Sequence, residues 1–245
     1  MTLTSPSLAD LTDADFFLNT LDSSLFPGIS SGVEAHNGFA NEQAKYVTLF
    51  LMTVSHSNDA DEPKDRIANS LCCPRNPLDE RHFVRYCRRH SLGAALALLD
   101  GVSLSLRLPS ATVTVYGYGM PRVGNQAFAD FVDSQLGGRV THVNNEKDPV
   151  PIVPGRFLGF HHPSGEIHIQ DSGQWDACPG AFPSLCLCLC LFLVWCGSID
   201  RVLTLRNYSG QDNTSNLCIV GDVPTIIEGD TSDHDGPYAG ITMGC

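Results

Sequence analysis

The chain has 245 residues, 42% of them hydrophobic and 17% charged, the make-up of an ordinary globular protein long enough for one large α/β domain. Its formal net charge of −12 is spread along the chain without an acidic tail and argues against nucleic acid or an anionic membrane surface as the main partner. Ten cysteines would ordinarily mean a disulfide framework, yet Cys72, Cys73 and Cys87 fall in one stretch and Cys186, Cys188, Cys190 and Cys196 crowd another.

Residues 1–10 have neither a basic region nor an apolar run, so no signal peptide is expected there. Residues 1–45 are polar to mixed, with Leu8, Leu11, Phe16, Phe17 and Leu18 preceding a turn at Pro27-Gly28. The pattern is then lost. Ser55 to Arg89 carries seven of the fifteen Lys and Arg residues and three cysteines, and it predicts no clear helix or strand.

From His90 the signals are strong. Ser91 to Asp100 is rich in Ala and Leu, which predicts a buried helix. Thr112 to Tyr118 alternates β-branched and aromatic residues and predicts a strand. A turn at Gly119–Arg122, a helix from Asn125 to Gln135 and a second strand from Arg139 to Val143 follow, and that order predicts a parallel sheet. Leu185 to Cys196 is an apolar, low-complexity run, short of the ~20 residues a membrane-spanning helix needs. A buried strand would suit its length but not its density of cysteines.

The chemistry centres on Arg89-His-Ser-Leu-Gly93. A nucleophile elbow, G-x-S-x-G, sets a serine on a sharp strand-to-helix turn, which needs small residues beside it. Gly93, Ala94 and Ala95 supply them on the helix side, while Arg89 stands where the first glycine would be. Taken alone, such a serine is more often a helix cap. A serine nucleophile needs a base and the base an orienting carboxylate, in the order Ser, Asp, His for α/β-hydrolases. Asp148 follows a strand and His234 lies near the end of the chain, so the order is met. Singly, an Asp before Pro149 is a turn residue and a late His a solvated one.

Together with Val33–Phe39, His90–Ala95, Tyr118–Asn125, Asp148–Pro151, Gly159–His161 and Ser232–His234, these residues make the sequence resemble the class 3 fungal lipases, close to those of mushroom-forming fungi. The resemblance covers most of 6–45, 90–180 and 210–245. It implies an α/β-hydrolase fold, a mostly parallel sheet with helices on both faces, and a secreted carboxylic ester hydrolase without a cofactor. It makes Ser91 the nucleophile, Asp148 the orienting acid, His234 the general base and Leu92 an oxyanion-hole amide donor. The implied substrate is a triacylglycerol at a water–lipid interface, uncovered by a moving lid. No nucleic acid and no stable protein partner are expected, and His142, His161 and His162 are expected to be structural rather than metal ligands. The alternatives are a cell-wall-directed, feruloyl-type esterase and a catalytically dead lipase-like protein.

The departures from the family pattern define a single, incomplete domain over 1–245. The family's N-terminal strands and the small hydroxyl residue of its oxyanion hole are expected to be missing, with the chain beginning at or after the lid near Pro6–Asp10. Residues 46–89 and 181–209 read as aberrant segments. A one-base shift of Asn76–Arg89 permits a strand ending in glycine, and excision of 181–209 restores a short family loop. Setting aside the seven cysteines in those segments leaves Cys178, Cys218 and Cys245, with Cys178 expected to pair with Cys218 and Cys245 left odd. Asn213-Thr-Ser215 is a glycosylation sequon.

Overall fold

The computed structural model describes residues 16–45, 83–178 and 211–243. The expectations placed on Pro6–Asp10, on most of 46–89, on 181–209 and on Cys245 therefore lie outside the described residues.

Strand β1 (Leu18–Thr20) and strand β2 (Glu34–His36) pair antiparallel, and a helix, α1, begins at 37. Strand β3 (Phe83–His90) runs directly into helix α2 (Ser91–Arg107), followed by β4 (Ala111–Tyr118), the two-residue β5 (Gly124–Asn125) and helix α3 (Gln126–Leu136). Then come β6 (Val140–Asn145), the two-residue β7 (Phe160–His161), β8 (Glu166–Ile169), β9 (Trp175–Cys178) and the short α4 (Ile219–Asp222).

The main sheet has the order β3-β4-β6-β8-β9, with the first four strands parallel and β9 antiparallel at the edge. A small antiparallel sheet, β1-β2-β5-β7, sits apart from it. Strand β3 corrects the reading of Ser55–Arg89 as a stretch without strand. Its eight residues pair in unbroken parallel register with β4, Phe83 to Ala111 through His90 to Tyr118, so pairing with an established strand overrides a weak local pattern.

The core lies where α2 and α3 cover the face of β4 that carries Val113 and Val115. Ala94, Ala95, Ala97, Leu98 and Leu99 from α2 meet Phe128, Val132 and Leu136 from α3, all buried. α3 begins on Asn125, whose side chain accepts from the Phe128 amide, and ends on Gly137 in the left-handed region at φ 53°. α2 runs on to Arg107, past the expected Asp100, because Gly101 is retained for space rather than propensity. A methyl added there would sit 2.5 Å from Val115 Cγ2. Among the described residues no helix is long and apolar enough to cross a membrane.

Gly101→Ala should therefore destabilise the fold by about 1–2 kcal/mol, overpacking outweighing the ~1 kcal/mol by which alanine is the better helix former. Urea unfolding measures this, and a stabilised variant would contradict so close a contact between α2 and β4.

Candidate active site

The turn from β3 into α2 is made at one residue. His90 is extended, at φ −113° and ψ 150°, whereas Ser91 has φ 54°, a left-handed conformation that non-glycine residues seldom adopt. The backbone reverses here because the residues behind it are small. A methyl on Gly117 of β4 would lie 3.2 Å from the Ala94 methyl, so helix and strand touch almost backbone to backbone. Arg89 occupies the last position but one of β3, and its side chain fits beside Gly93, where an added Cβ would come 3.4 Å from Arg89 Cβ. The room denied before the serine is provided after it.

Ser91, 5% exposed, donates its hydroxyl proton to His234 Nε2 at 2.8 Å. His234 Nδ1 donates in turn to Asp148 Oδ2 at 2.9 Å, and Asp148 is wholly buried. Three residues separated by 57 and 86 positions in the chain are thus joined by two hydrogen bonds of ordinary length. Asp148 follows β6 in a turn closed by its own amide on Asn145 O at 2.9 Å, and its second oxygen accepts from the Val150 amide at 2.8 Å. His234 lies in a 3-10 turn, Thr231–Asp235, capped by Asp230, which accepts from the Ser232 amide and hydroxyl. The two turns are tied together: Asn145 Nδ2 donates to Asp233 O, the Lys147 amide to Asp233 Oδ2 and the Asp230 amide to Lys147 O, each at 2.8–3.0 Å. Leu92 is the second residue of α2, where a backbone N–H has no acceptor within its own helix and the helix dipole is positive.

Three contributors went unread in the sequence. His90 Nε2 donates to His234 O at 2.8 Å, with the two imidazoles 4.4 Å apart, and burial, then the neighbouring His234, hold the His90 pKa below its ordinary value. Tyr238 donates to the same carbonyl at 3.1 Å, and burial together with the Asp148 charge raises the pKa of its phenol. Gly119, at φ 53°, stands where a methyl would fall within 2.9 Å of Tyr238 Oη, Asp148 Oδ2 and His234 Cε1. Position 119 must be glycine for His234 and Asp148 to meet.

A second polar cluster lies behind the Asp148 turn. Arg122 and Asp212 form a buried pair at 2.6 Å, their side chains 2% and 3% exposed, and Asp212 also accepts from His161 Nδ1 at 3.0 Å and the His162 amide at 3.2 Å. Burial alone would raise the Asp212 pKa; neighbouring His162 and Arg122 and the bonds it accepts leave it lowered. Removing one partner from such a pair costs about 3–5 kcal/mol. His142 and His162 stack at 4.7 Å and donate to Pro163 O and Pro151 O.

Cys178 and Cys218 are joined by a disulfide that ties β9 to the start of α4. Among the described residues the one group of His, Cys or acidic side chains close enough to share a metal is Glu166, Cys178 and Cys218. Both its sulfurs are used by the disulfide, and Glu166 accepts from the Ile219 amide at 2.7 Å. The sequon fails on access: Asn213 is 4% exposed and its Oδ1 accepts from the Ser215 amide.

An apolar groove of about 920 Å³ is lined by Ile152, Val153, Pro154 and Phe157 from the segment after Asp148 and by Val220, Val223, Ile226 and Ile227 from the segment before His234. None of Ser91, Asp148 and His234 lines it, but its walls are the segments that follow Asp148 and precede His234. Phe157 and Ile227 at its rim are 89% and 96% exposed.

Known proteins share this fold and these segments. Residues 89–158 match the lipase (class 3) family. Over 132 residues the chain is 46% identical to a secreted mono- and diacylglycerol lipase of Malassezia restricta, covering 53% of this chain and 40% of that protein. A secreted mono- and diacylglycerol lipase of Malassezia globosa is 45% identical over 93 residues, covering 37% of this chain and 31% of that one. The chain thus spans well under half the length of these two relatives. Among solved structures, lipase II from Rhizopus niveus superposes with a TM-score of 0.64 at 22% identity, over 98% of this chain and 69% of that one. A triacylglycerol lipase whose catalytic centre is a serine protease triad superposes at 0.62 with 24% identity, over 98% and 70%. The fold is that of the α/β-hydrolases. Within that class, the chain is similar to the class 3 lipases over residues 89–158 and to the secreted Malassezia lipases over about half its length.

The stacked histidines make stability depend on pH. Burial lowers both pKa values from the ordinary 6.5, that of His162 to about 3. The unfolded chain therefore takes up protons that the folded chain refuses, and stability is lost as pH falls below 6.5, by at most about 1.4 kcal/mol per pH unit for each group. Between pH 7 and 5, above the main carboxylate range, the urea midpoint should drop, and His162→Gln should flatten that slope. An unchanged midpoint over this interval would mean that the pair is not held neutral.

Proposed function

We propose that this chain is a serine ester hydrolase of the lipase type, in which Ser91 attacks the ester carbonyl, His234 accepts its proton and Asp148 holds the imidazole in the required tautomer. The observation that carries this reading is the unbroken relay from Ser91 Oγ through His234 to a wholly buried Asp148. The Nδ1–H bond to Asp148 leaves Nε2 bare towards the serine, and the carboxylate stabilises the imidazolium that forms on attack. The tetrahedral oxyanion would be met by the Leu92 amide at the positive end of α2. Collapse forms the acyl-enzyme on Ser91 as His234 returns its proton to the departing alcohol; water then repeats the cycle. Each step is a proton or acyl transfer, so no cofactor is called for.

The substrate we infer is an acylglycerol, a triacylglycerol foremost. The apolar groove beside the Asp148 and His234 loops suits an aliphatic chain better than the aromatic acid of a cell-wall ester, and the Malassezia relatives are named as mono- and diacylglycerol lipases. Exposed Phe157 and Ile227 suit a lipid surface as the place of action. An extracellular site of action follows from relatives named as secreted. The hydrogen-bonded Ser91 and the space that Gly93 leaves for Arg89 favour an active enzyme over a dead one. A single domain over 1–245 remains part of this reading, with Phe83–Arg89 of the 46–89 segment belonging to it as strand β3.

Ser91→Ala should abolish hydrolysis of p-nitrophenyl butyrate and decanoate, and Asp148→Asn should lower kcat by about 10⁴ by favouring the wrong imidazole tautomer. Steady-state assay of the purified variants tests this. Turnover that survives in Ser91→Ala would overturn the assignment of the nucleophile.

A further inference from the structure

The segment that follows Asp148 is bound in an unusual way. Residues 149–154 contain three prolines, which have no N–H to donate, and among the described residues this stretch has no partner strand. Yet four successive carbonyls in it are all satisfied from two residues. Pro151 O accepts from His162 Nε2 at 2.7 Å, Ile152 O from Arg122 Nη1, Val153 O from the Arg122 amide at 2.9 Å, and Pro154 O again from Arg122 Nη1 at 3.0 Å. The guanidinium is itself fixed by Asp212 through Nε, and Asp212 reaches back to His162 through that residue's amide. Asp212 holds this position at φ 46°, a left-handed conformation.

Three of these carbonyls belong to Ile152, Val153 and Pro154, which line the apolar groove. Arg122 lines the same groove while its charge is spent on backbone oxygens and on Asp212. The planar fork of an arginine can serve Asp212 and two carbonyls at once, a geometry that an ammonium group cannot reproduce.

We infer that Arg122, held by Asp212 and assisted by His162, is a positioning residue that sets the shape of the acyl-chain wall and so the preference for long over short acyl groups. This rests on the groove being the acyl site. The wall and the orienting acid Asp148 share one short segment. A change at Arg122 therefore acts through the backbone of 151–154, first on how a long chain is seated and only secondarily on the chemistry at Ser91.

The experiment compares Arg122→Lys and His162→Gln with the unaltered chain, using p-nitrophenyl acetate, which leaves the groove unfilled, and p-nitrophenyl decanoate, which fills it. The expected result for Arg122→Lys is a fall of about tenfold in the ratio of decanoate to acetate kcat/KM, carried mainly by a higher KM for decanoate. His162→Gln should lower the ratio in the same direction and by less. Equal losses on both esters, or an unchanged ratio, would overturn the inference and leave the cluster a general stabiliser of the fold. Binding of a fluorescent twelve-carbon fatty acid below its micellar range, measured in the Ser91→Ala background, separates this from failure of the triad. Affinity weakened about tenfold by Arg122→Lys supports the inference even where neither ester is hydrolysed, and unchanged affinity refutes it. Matching circular dichroism spectra and melting transitions establish that the variants compared are folded, and Asp212→Glu, which keeps the carboxylate, should retain more of the preference than Asp212→Asn.

Discussion

The site depends on the reversal of the backbone at Ser91, where an extended strand becomes a helix within one residue and a non-glycine side chain takes φ 54°. Such a conformation costs about 1–2 kcal/mol and persists only where the surroundings over-determine it. Here they do. Strand β3 is locked along eight residues to β4, and the start of α2 is pressed onto β4 where Ala94 meets Gly117. Neither contact leaves the serine another path, so its hydroxyl stands at the carboxyl edge of a parallel sheet. That edge is where open α/β sheets bind their ligands.

The same edge receives the other two residues from separate directions. β6 delivers Asp148 through a tight turn, and a capped 3-10 turn delivers His234 from near the end of the chain. Hydrogen bonds between these turns, at Asn145, Lys147, Asp230 and Asp233, hold Asp148 and His234 as one piece. His90 and Tyr238 then clamp the His234 carbonyl, so the residue before Ser91 helps to seat His234. Function at such a site is a matter of placement, and placement here is supplied in part by a backbone carbonyl held by the His90 and Tyr238 side chains.

Much of this was legible from the residues. The Ala- and Leu-rich run after Ser91 and the alternating Thr112–Tyr118 state helix and strand through their own periodicity, and the order Ser91, Asp148, His234 picks out three residues that the fold joins by hydrogen bonds. Family resemblance singled out Cys178 and Cys218. β3 was not legible because Phe83–His90 has no amphipathic alternation to declare it, and only its register with β4 makes it a strand. Helix α2 was read too short because the Ala- and Leu-rich run stops at Asp100, whereas in the fold Gly101 lies inside the helix, close against Val115. His90, Arg122, Asp212 and Tyr238 went unread for a common reason. His90, Arg122 and Asp212 act through partners tens of residues away and Tyr238 through a backbone carbonyl, and spacing along the chain carries no trace of either. The sequon at Asn213 was misleading for the converse reason, being local in sequence and buried in the fold.

Covalent labelling with an alkyl fluorophosphonate, read by peptide mass spectrometry, tests the central claim most directly, because it requires an activated serine and no assumption about the natural ester. The account predicts one adduct, on Ser91, lost when the protein is unfolded before labelling and lost in His234→Ala. Labelling of a different serine, or no adduct on a chain shown to be folded, would contradict it.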